Sequence, residues 1–264
     1  FVAINYFFFI YKNKYTFLKF WCFIILIVIT DSYIEYFFGK NILGYGQDIY
    51  ADRIVSFFKD EPIVAGYLNG FFFIILGYLF DKKNDQNKNF LNLLIILSLL
   101  YLVCVILTGE RSNTIKAIIG LSIFYFLNNN FSLKKRISVF LVLIVATTVL
   151  ISNSNYLKYR YFHNIISPML NADKRENFLK ENIYIKHYKS GYAVFKNNPL
   201  FGVGNKNYRI ETRGENQYTK ENYIPDTQPH QIYFELLSEH GLIGTTIILS
   251  LIFFLIFRNL KICI

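Results

Sequence analysis

Cysteine is scarce in this chain of 264 residues, and what there is lies scattered. Cys22 and Cys104 fall within apolar runs and Cys263 near the C-terminal end, so none is placed to make a disulfide on the outer face of a membrane. No group of Cys, His or carboxylate residues has the spacing of a metal site along the sequence, so the expectation is no metal and no cofactor. Methionine and tryptophan occur once each beside abundant Phe, Tyr, Ile, Asn and Lys, a bias that points to an AT-rich coding sequence and strips the 19% aromatic share of functional meaning. Charge is also thin: 17% of residues are charged against 53% hydrophobic, and the mean hydropathy is +0.30. That balance marks a polytopic membrane protein. The sequence opens without Met in an apolar run, residues 1–11, shorter than the roughly 20 residues a bilayer requires. It also lacks the basic segment and small-residue cleavage site of a signal peptide, so the natural protein is expected to extend further in the N-terminal direction.

What the chain does have is a series of apolar stretches at about 15–38, 62–80, 90–108, 113–127, 137–152 and 232–257. Unbroken runs without the alternation of a barrel strand predict spanning helices and an all-α fold. Basic residues gather in every second connection: Lys12, Lys14 and Lys19; Lys82, Lys83 and Lys88; Lys134, Lys135 and Arg136; Arg258 and Lys261. Those connections face the cytoplasm by the positive-inside rule. Residues 39–61, the tight turn at 109–112 and the long segment 153–230 then share the outer face. The expected architecture is a single membrane domain over residues 1–264, a polytopic transmembrane helix bundle with a long, partly helical outer loop at 153–230.

A net charge of +10 could suggest nucleic acid, but eleven of the 28 basic residues lie in the cytoplasmic connections and tail, where topology accounts for them. The outer loop holds twelve Lys or Arg against seven Asp or Glu, which suits an anionic head group and equally a solvated loop. Arg111 is the most telling charge. It stands in Thr108-Gly-Glu-Arg-Ser112 between two apolar runs, where a cation is costly and calls for a function.

Within the outer loop, residues 173–197 carry Phe178, Leu179, Ile183, Tyr184, Tyr188, Tyr192 and Phe195 at roughly helical spacing among lysines, predicting an amphipathic helix on the membrane surface. Asn198-Pro-Leu-Phe-Gly202-Val-Gly204 then breaks it, its glycines permitting positive φ and close backbone approach. A further helix is expected from Thr227 or Asp226 as cap, with Pro229 and His230 in its first turn. The positive end of that helix would keep the His230 imidazole neutral, fit to accept a proton, and would attract phosphate. The alternative is an interfacial histidine bonded to backbone. Glu239, nine residues on, would lie on the order of 13 Å deeper, and reads foremost as a buried carboxyl locking two helices.

Taken together, Thr108-Gly-Glu-Arg-Ser-Asn113, Asn198-Pro-Leu-Phe-Gly-Val-Gly204 and Pro229-His-Gln-Ile-Tyr-Phe-Glu-Leu-Leu-Ser-Glu-His-Gly-Leu-Ile-Gly244 resemble the bacterial O-antigen ligase and O-antigen polymerase family in order and in topology. The likeness covers about residues 50–257, since Arg53 to Pro62 also resembles the outer loop that precedes the family's arginine turn. The resemblance implies a GT-C-like glycosyltransferase of the bacterial inner membrane, multi-pass, with a periplasmic active site and loop. Its partners would be an undecaprenyl pyrophosphate-linked glycan, an acceptor that is lipid A core or a second lipid-linked glycan, and membrane lipids; it would need no nucleic acid, metal or nucleotide sugar.

Carried over, Arg111 matches the arginine that would hold pyrophosphate, whose planar fork bonds phosphate oxygens bidentately. Arg160 corresponds more loosely to a second arginine. His230 matches the histidine that would activate the acceptor hydroxyl, followed here by Gln231 where the family usually has Asn. These three are the catalytic candidates. Arg53, Lys116, Gly202, Gly204, Gln231, Tyr233 and Glu239 are the substrate-binding candidates, with Lys116 a departure from the pattern that snorkelling also explains. The implied mechanism is inverting transfer without a covalent intermediate. Ligase and polymerase share donor and motifs, and the Pro-His-Gln-x-Tyr pattern leans to ligase. A transporter or channel is the non-enzyme alternative. Against it stand the single long outer loop, the lack of an internal repeat and the gathering of charge at one face.

Overall fold

The computed structural model describes residues 14–46, 53–59, 61–81, 88–128 and 131–263; the apolar run 1–11, Lys12, Asp60, Lys82 and Lys83 lie outside them. Every predicted apolar stretch is a helix: α1 (Lys14–Phe38), α2 (Val64–Asp81), α3 (Lys88–Leu107), α4 (Arg111–Leu127), α5 (Leu133–Asn153) and, after α6 (Ala172–Glu181) and α7 (Ile183–Asn197), α8 (Ile232–Cys263). Among the described residues there is no strand, only a single bridge between Lys40 and Gly46. Thr16–Phe38, Phe90–Leu107, Leu133–Asn153 and Ile232–Arg258 are long and apolar enough to cross a membrane, while Val64–Phe80 is apolar but shorter. The protein is an all-α polytopic membrane protein. Helices satisfy their own backbone, which lipid cannot do for them.

The chain divides into two compact units, residues 1–166 and 167–264. In the first, Leu68, Phe72 and Leu76 of α2, Tyr101, Leu102 and Val105 of α3, Leu121 and Tyr125 of α4 and Leu143 of α5 form the buried core. Phe72 and Tyr101 stack at 3.8 Å and 2°. Ile115, Ile119 and Ile123 run down the other side of α4 exposed, as a face turned to lipid requires.

Buried carboxylates fix the polar connections of this unit. Glu35 of α1 accepts from the Val55 and Ser56 amides at 3.0 and 2.6 Å, and Asp31 accepts from the Ile42 amide at 2.9 Å and from the Ser56 hydroxyl. With both carboxylates fully buried, these charge-assisted bonds hold the segment that carries Arg53. Glu110 does the same for α2, accepting from the Ala65 amide in its first turn at 2.8 Å.

In the second unit the single amphipathic helix expected over 173–197 is two helices. Asn182 breaks it, because its side-chain oxygen accepts from the Tyr184 and Ile185 amides and so caps α7. The buried face of α7 is His187, Ser190, Gly191 and Val194, while Ile183, Tyr184 and Tyr192 are exposed. The helix packs along α8, while Ser190 meets the Tyr208 hydroxyl at 2.7 Å and Val194 clusters with Tyr208 and Tyr223. Gly191 sets the approach, since a Cβ there would lie 2.8 Å from the Pro229 side chain and 2.9 Å from that of Phe234.

α8 is itself broken. Gly241 has φ 63° and ψ −169°, a conformation essentially closed to other residues. The segment 198–204 lies in the gap and repairs the interrupted ladder. The Val203 and Gly204 amides donate to the Ser238 and Glu239 carbonyls at 2.9 and 2.8 Å, and the Leu242 and Ile243 amides donate to the Pro199 and Leu200 carbonyls at 2.8 and 3.2 Å.

Candidate active site

The first group of candidate residues forms around the turn between α3 and α4. Gly109 has φ 70°, and a Cβ there would lie 2.5 Å from the Tyr156 hydroxyl, so the turn favours glycine. The chain after α5 winds into a π-helix, Lys158–Ile166, a wide and uncommon form. It is sewn onto the turn. Arg160 donates through Nη2 to the Gly109 carbonyl at 3.3 Å, and Arg111 donates through Nη1 to the Arg160 carbonyl at 3.4 Å. The Tyr161 hydroxyl donates to the Ile106 carbonyl at 3.2 Å and meets the Thr114 hydroxyl at 2.7 Å. Burial pushes the Tyr161 phenol up to about 12, so it stays a neutral hydrogen-bonding group.

Two arginines 49 positions apart are thus brought to one locality. Each carbonyl bond orients its guanidinium. Arg160 Nε is moreover buried and meets no hydrogen-bond partner among the described residues. A site with two oriented cations and an unspent donor suits an anion with several oxygens, which a phosphate group supplies. Arg53 is set differently: its Nη2 donates to the Pro62 carbonyl at 3.2 Å, and its charge acts on Glu110. Glu110 is nonetheless held above the ordinary carboxylate range, chiefly by burial, against bonds from Ala65 and Asn113. Lys116 is exposed on α4, 3.4 Å from the Asn113 side-chain oxygen.

The second group lies in the other compact unit and centres on Asp226. The His230 ring Nε2 stands 3.0 Å from Asp226 Oδ2, and the His187 Nε2 stands 3.4 Å from the same oxygen. Burial raises the Asp226 carboxyl, but the Thr227 amide and His230 outweigh it and hold the group below its usual range. An ionised carboxylate only accepts. His230 therefore donates from Nε2, and a neutral ring so placed has its lone pair on Nδ1. Burial drives the His187 imidazole below its usual range, with Asp226 opposing and His230 reinforcing the shift. The rings of His187 and His230 meet edge to face at 4.9 Å.

This geometry corrects the expected placement of His230. α8 begins at Ile232, so His230 is not in its first turn but ahead of it, with φ 55°. Neither Asp226 nor Thr227 caps the helix. Gln231 does, its side-chain oxygen accepting from the Phe234 amide at 2.8 Å. The environment of His230 is set by a carboxylate rather than by a helix terminus. Asp226 and His187, absent from the sequence-based set of site residues, are what complete the group. For Asp226 a signal was present, since it is four residues from His230; His187 joins the group only through packing.

The other candidates fall around α8. Gly202 and Gly204 belong to the segment that fills the α8 break, where a Cβ on Gly202 would lie 2.4 Å from the Glu239 backbone. Glu239 is buried in the last turn before the break, and Tyr233 is 56% exposed in the first turn.

A family model described as O-Antigen ligase matches residues 96–249, more than half of the chain. The chain belongs to the O-antigen ligase family. It is a membrane glycosyltransferase of O-antigen ligase or polymerase type, acting on a lipid-linked glycan and a lipid acceptor. The match takes in Arg111, Arg160, His187, Asp226 and His230 and leaves Arg53 before its start. No curated protein and no solved structure matches the chain.

Proposed function

We propose that the protein is a ligase that moves a glycan from undecaprenyl pyrophosphate to a sugar hydroxyl of lipid A core, at the periplasmic face of the bacterial inner membrane. The observation that carries the reading is the arginine pair: Arg111, oriented by the Arg160 carbonyl, and Arg160, oriented by the Gly109 carbonyl, suit a pyrophosphate leaving group. The reaction is a single inverting displacement. The acceptor oxygen bonds to the anomeric carbon as the bond from that carbon to the phosphate oxygen breaks, and the electron pair leaves with the pyrophosphate. His230 Nδ1 takes the acceptor proton, and Asp226 stabilises the imidazolium that results. Charge stabilisation by the arginines carries most of the rate, and no metal enters the reaction.

In this reading Arg53, Lys116, Tyr233 and Glu239 are substrate-side groups, while Gly202, Gly204 and Gln231 act through the backbone they hold in place. The test uses the full chain in liposomes with labelled undecaprenyl pyrophosphate glycan, with and without lipid A core. Label moving onto lipid A core with intact His230, and not with His230→Ala, supports the ligase. A lengthening lipid-linked ladder without that acceptor makes the protein a polymerase. Neither product under conditions that preserve the fold refutes both.

A further inference from the structure

We propose that His187, Asp226 and His230 form a binding site for a divalent transition-metal ion of the Zn2+ type, and that its occupancy switches glycan transfer off. The second half of this inference rests on the reading of His230 as the proton acceptor; the first does not. The geometry is the ground. One ligand atom from each residue lies within 4.8 Å of the other two, with the carboxylate oxygen 3.4 Å from His187 Nε2 and 3.0 Å from His230 Nε2. Ligands about 2.1 Å from a tetrahedral Zn2+ sit roughly 3.4 Å apart, so both carboxylate–imidazole distances fit within a few tenths of an ångström, and the two imidazoles, within 4.8 Å of each other, close on the ion by side-chain rotation.

The chemistry of the donors agrees. Two imidazoles and a carboxylate favour Zn2+ and its neighbours over Mg2+ and Ca2+, which seek cages of oxygen. His187 is 7% exposed at its side chain, its Nδ1 has no hydrogen-bond partner among the described residues, and its Nε2 faces Asp226 only at the longer distance. A ring buried with so little hydrogen bonding is a group whose lone pair is unspent. The unpartnered Nδ1 also means that the outer bond which tightens many zinc histidines is missing, a loss of about 10- to 100-fold in affinity. The site is therefore suited to reversible occupancy rather than to a resident ion. One further position on the metal stays open to water.

Occupancy silences His230 whichever nitrogen is considered. The metal takes the Nε2 lone pair, and the single proton of the neutral ring then sits on Nδ1, the atom that would have accepted from the acceptor hydroxyl. No oxidation or group transfer is involved; the proton moves between ring nitrogens through solvent.

The experiment has a binding arm and an activity arm. The full chain in detergent, stripped of metal, is titrated with Zn2+ by calorimetry, alongside His187→Gln, His230→Gln, and His163→Gln and His240→Gln as controls. Saturable binding of one equivalent is expected, weakened at least about tenfold by each of the first two changes and by neither control, with no binding of Mg2+. His230 is exposed, so its variant answers even where His187→Gln fails to fold. Absence of saturable binding, or binding unchanged in His230→Gln, overturns the site. In the transfer assay Zn2+ is expected to inhibit the wild type, and His187→Gln to need at least about tenfold more Zn2+ for the same inhibition. Binding without inhibition overturns the switch. Absence of any transfer without Zn2+ refutes the ligase reading instead, and leaves the metal site to the binding arm.

Discussion

Replacing Gly241 by Ala tests the break in α8 more directly than any other change. Its backbone angles are essentially restricted to glycine, which sets a strain of about 1–3 kcal/mol for a residue with a Cβ. The added carbon would also lie 2.3 Å from the Leu200 carbonyl carbon and oxygen and 2.5 Å from the Phe201 nitrogen. These are backbone atoms, and no rotamer change moves them. Relief requires the 198–204 segment to withdraw, which weakens the bonds from the Leu242 and Ile243 amides to the Pro199 and Leu200 carbonyls. At about 0.5–1.5 kcal/mol each, the total comes to about 2–6 kcal/mol. Denaturant unfolding in mixed micelles measures it, with Gly70→Ala as the control, since nothing lies within 4 Å of a Cβ there. Gly202→Ala strikes the same contact from the other side, so the double variant should cost clearly less than the sum of the two single changes. A loss below about 1 kcal/mol for Gly241→Ala, or simple additivity, would refute the reciprocal fit of segment and break.

Three further outcomes are expected. Arg111→Ala should lower transfer on the order of 100-fold, as loss of a single charge-stabilising donor does elsewhere, with Arg111→Lys between it and wild type because the charge survives without the fork; single-turnover rates in liposomes measure it. Asp226→Asn, assayed with chelator present, should lower turnover about tenfold: unit charges 3.0 Å apart attract by roughly 1.4 kcal/mol at the dielectric of water, the fitting limit for a pair this open to solvent. Unchanged turnover in that variant would remove Asp226 from the reaction. Glu35→Ala should destabilise the first unit by about 3 kcal/mol or more, because two buried amides, Val55 and Ser56, lose a charged acceptor; thermal unfolding in detergent reports it.

The helices were legible because each is specified by its own residues. Six apolar runs gave six helices, and a cation as isolated as Arg111 between two of them marked the turn that gathers Arg160. What escaped the sequence depends on contacts between distant residues or on competition at a single one. The break at Asn182 turned on whether its side chain caps or continues a helix, and an aromatic period running across it concealed the answer. The start of α8 moved from Thr227 to Ile232 because the Asp226 carboxylate is engaged by His230 and Thr227, leaving Gln231 to cap. Nothing local to His187 distinguishes it from a histidine on any helix face. Only the packing of α7 along α8 brings its ring to Asp226.

The same contrast explains why two glycine-bearing motifs that read separately as turns are one structure. A helix that stops at Gly241 and resumes leaves carbonyls before the break and amides after it without their usual partners, and inside a membrane protein such groups must be satisfied. The segment 198–204 supplies amides to the first set and carbonyls to the second, two of each. It can do so only if both backbones approach without side chains between them, hence Gly202 on one strand of the contact and Gly241 on the other. Change in either motif therefore propagates to the other. The glycines hold the frame of α8, so their loss is expected first as instability and, in the reaction proposed for His230, only then as lost transfer.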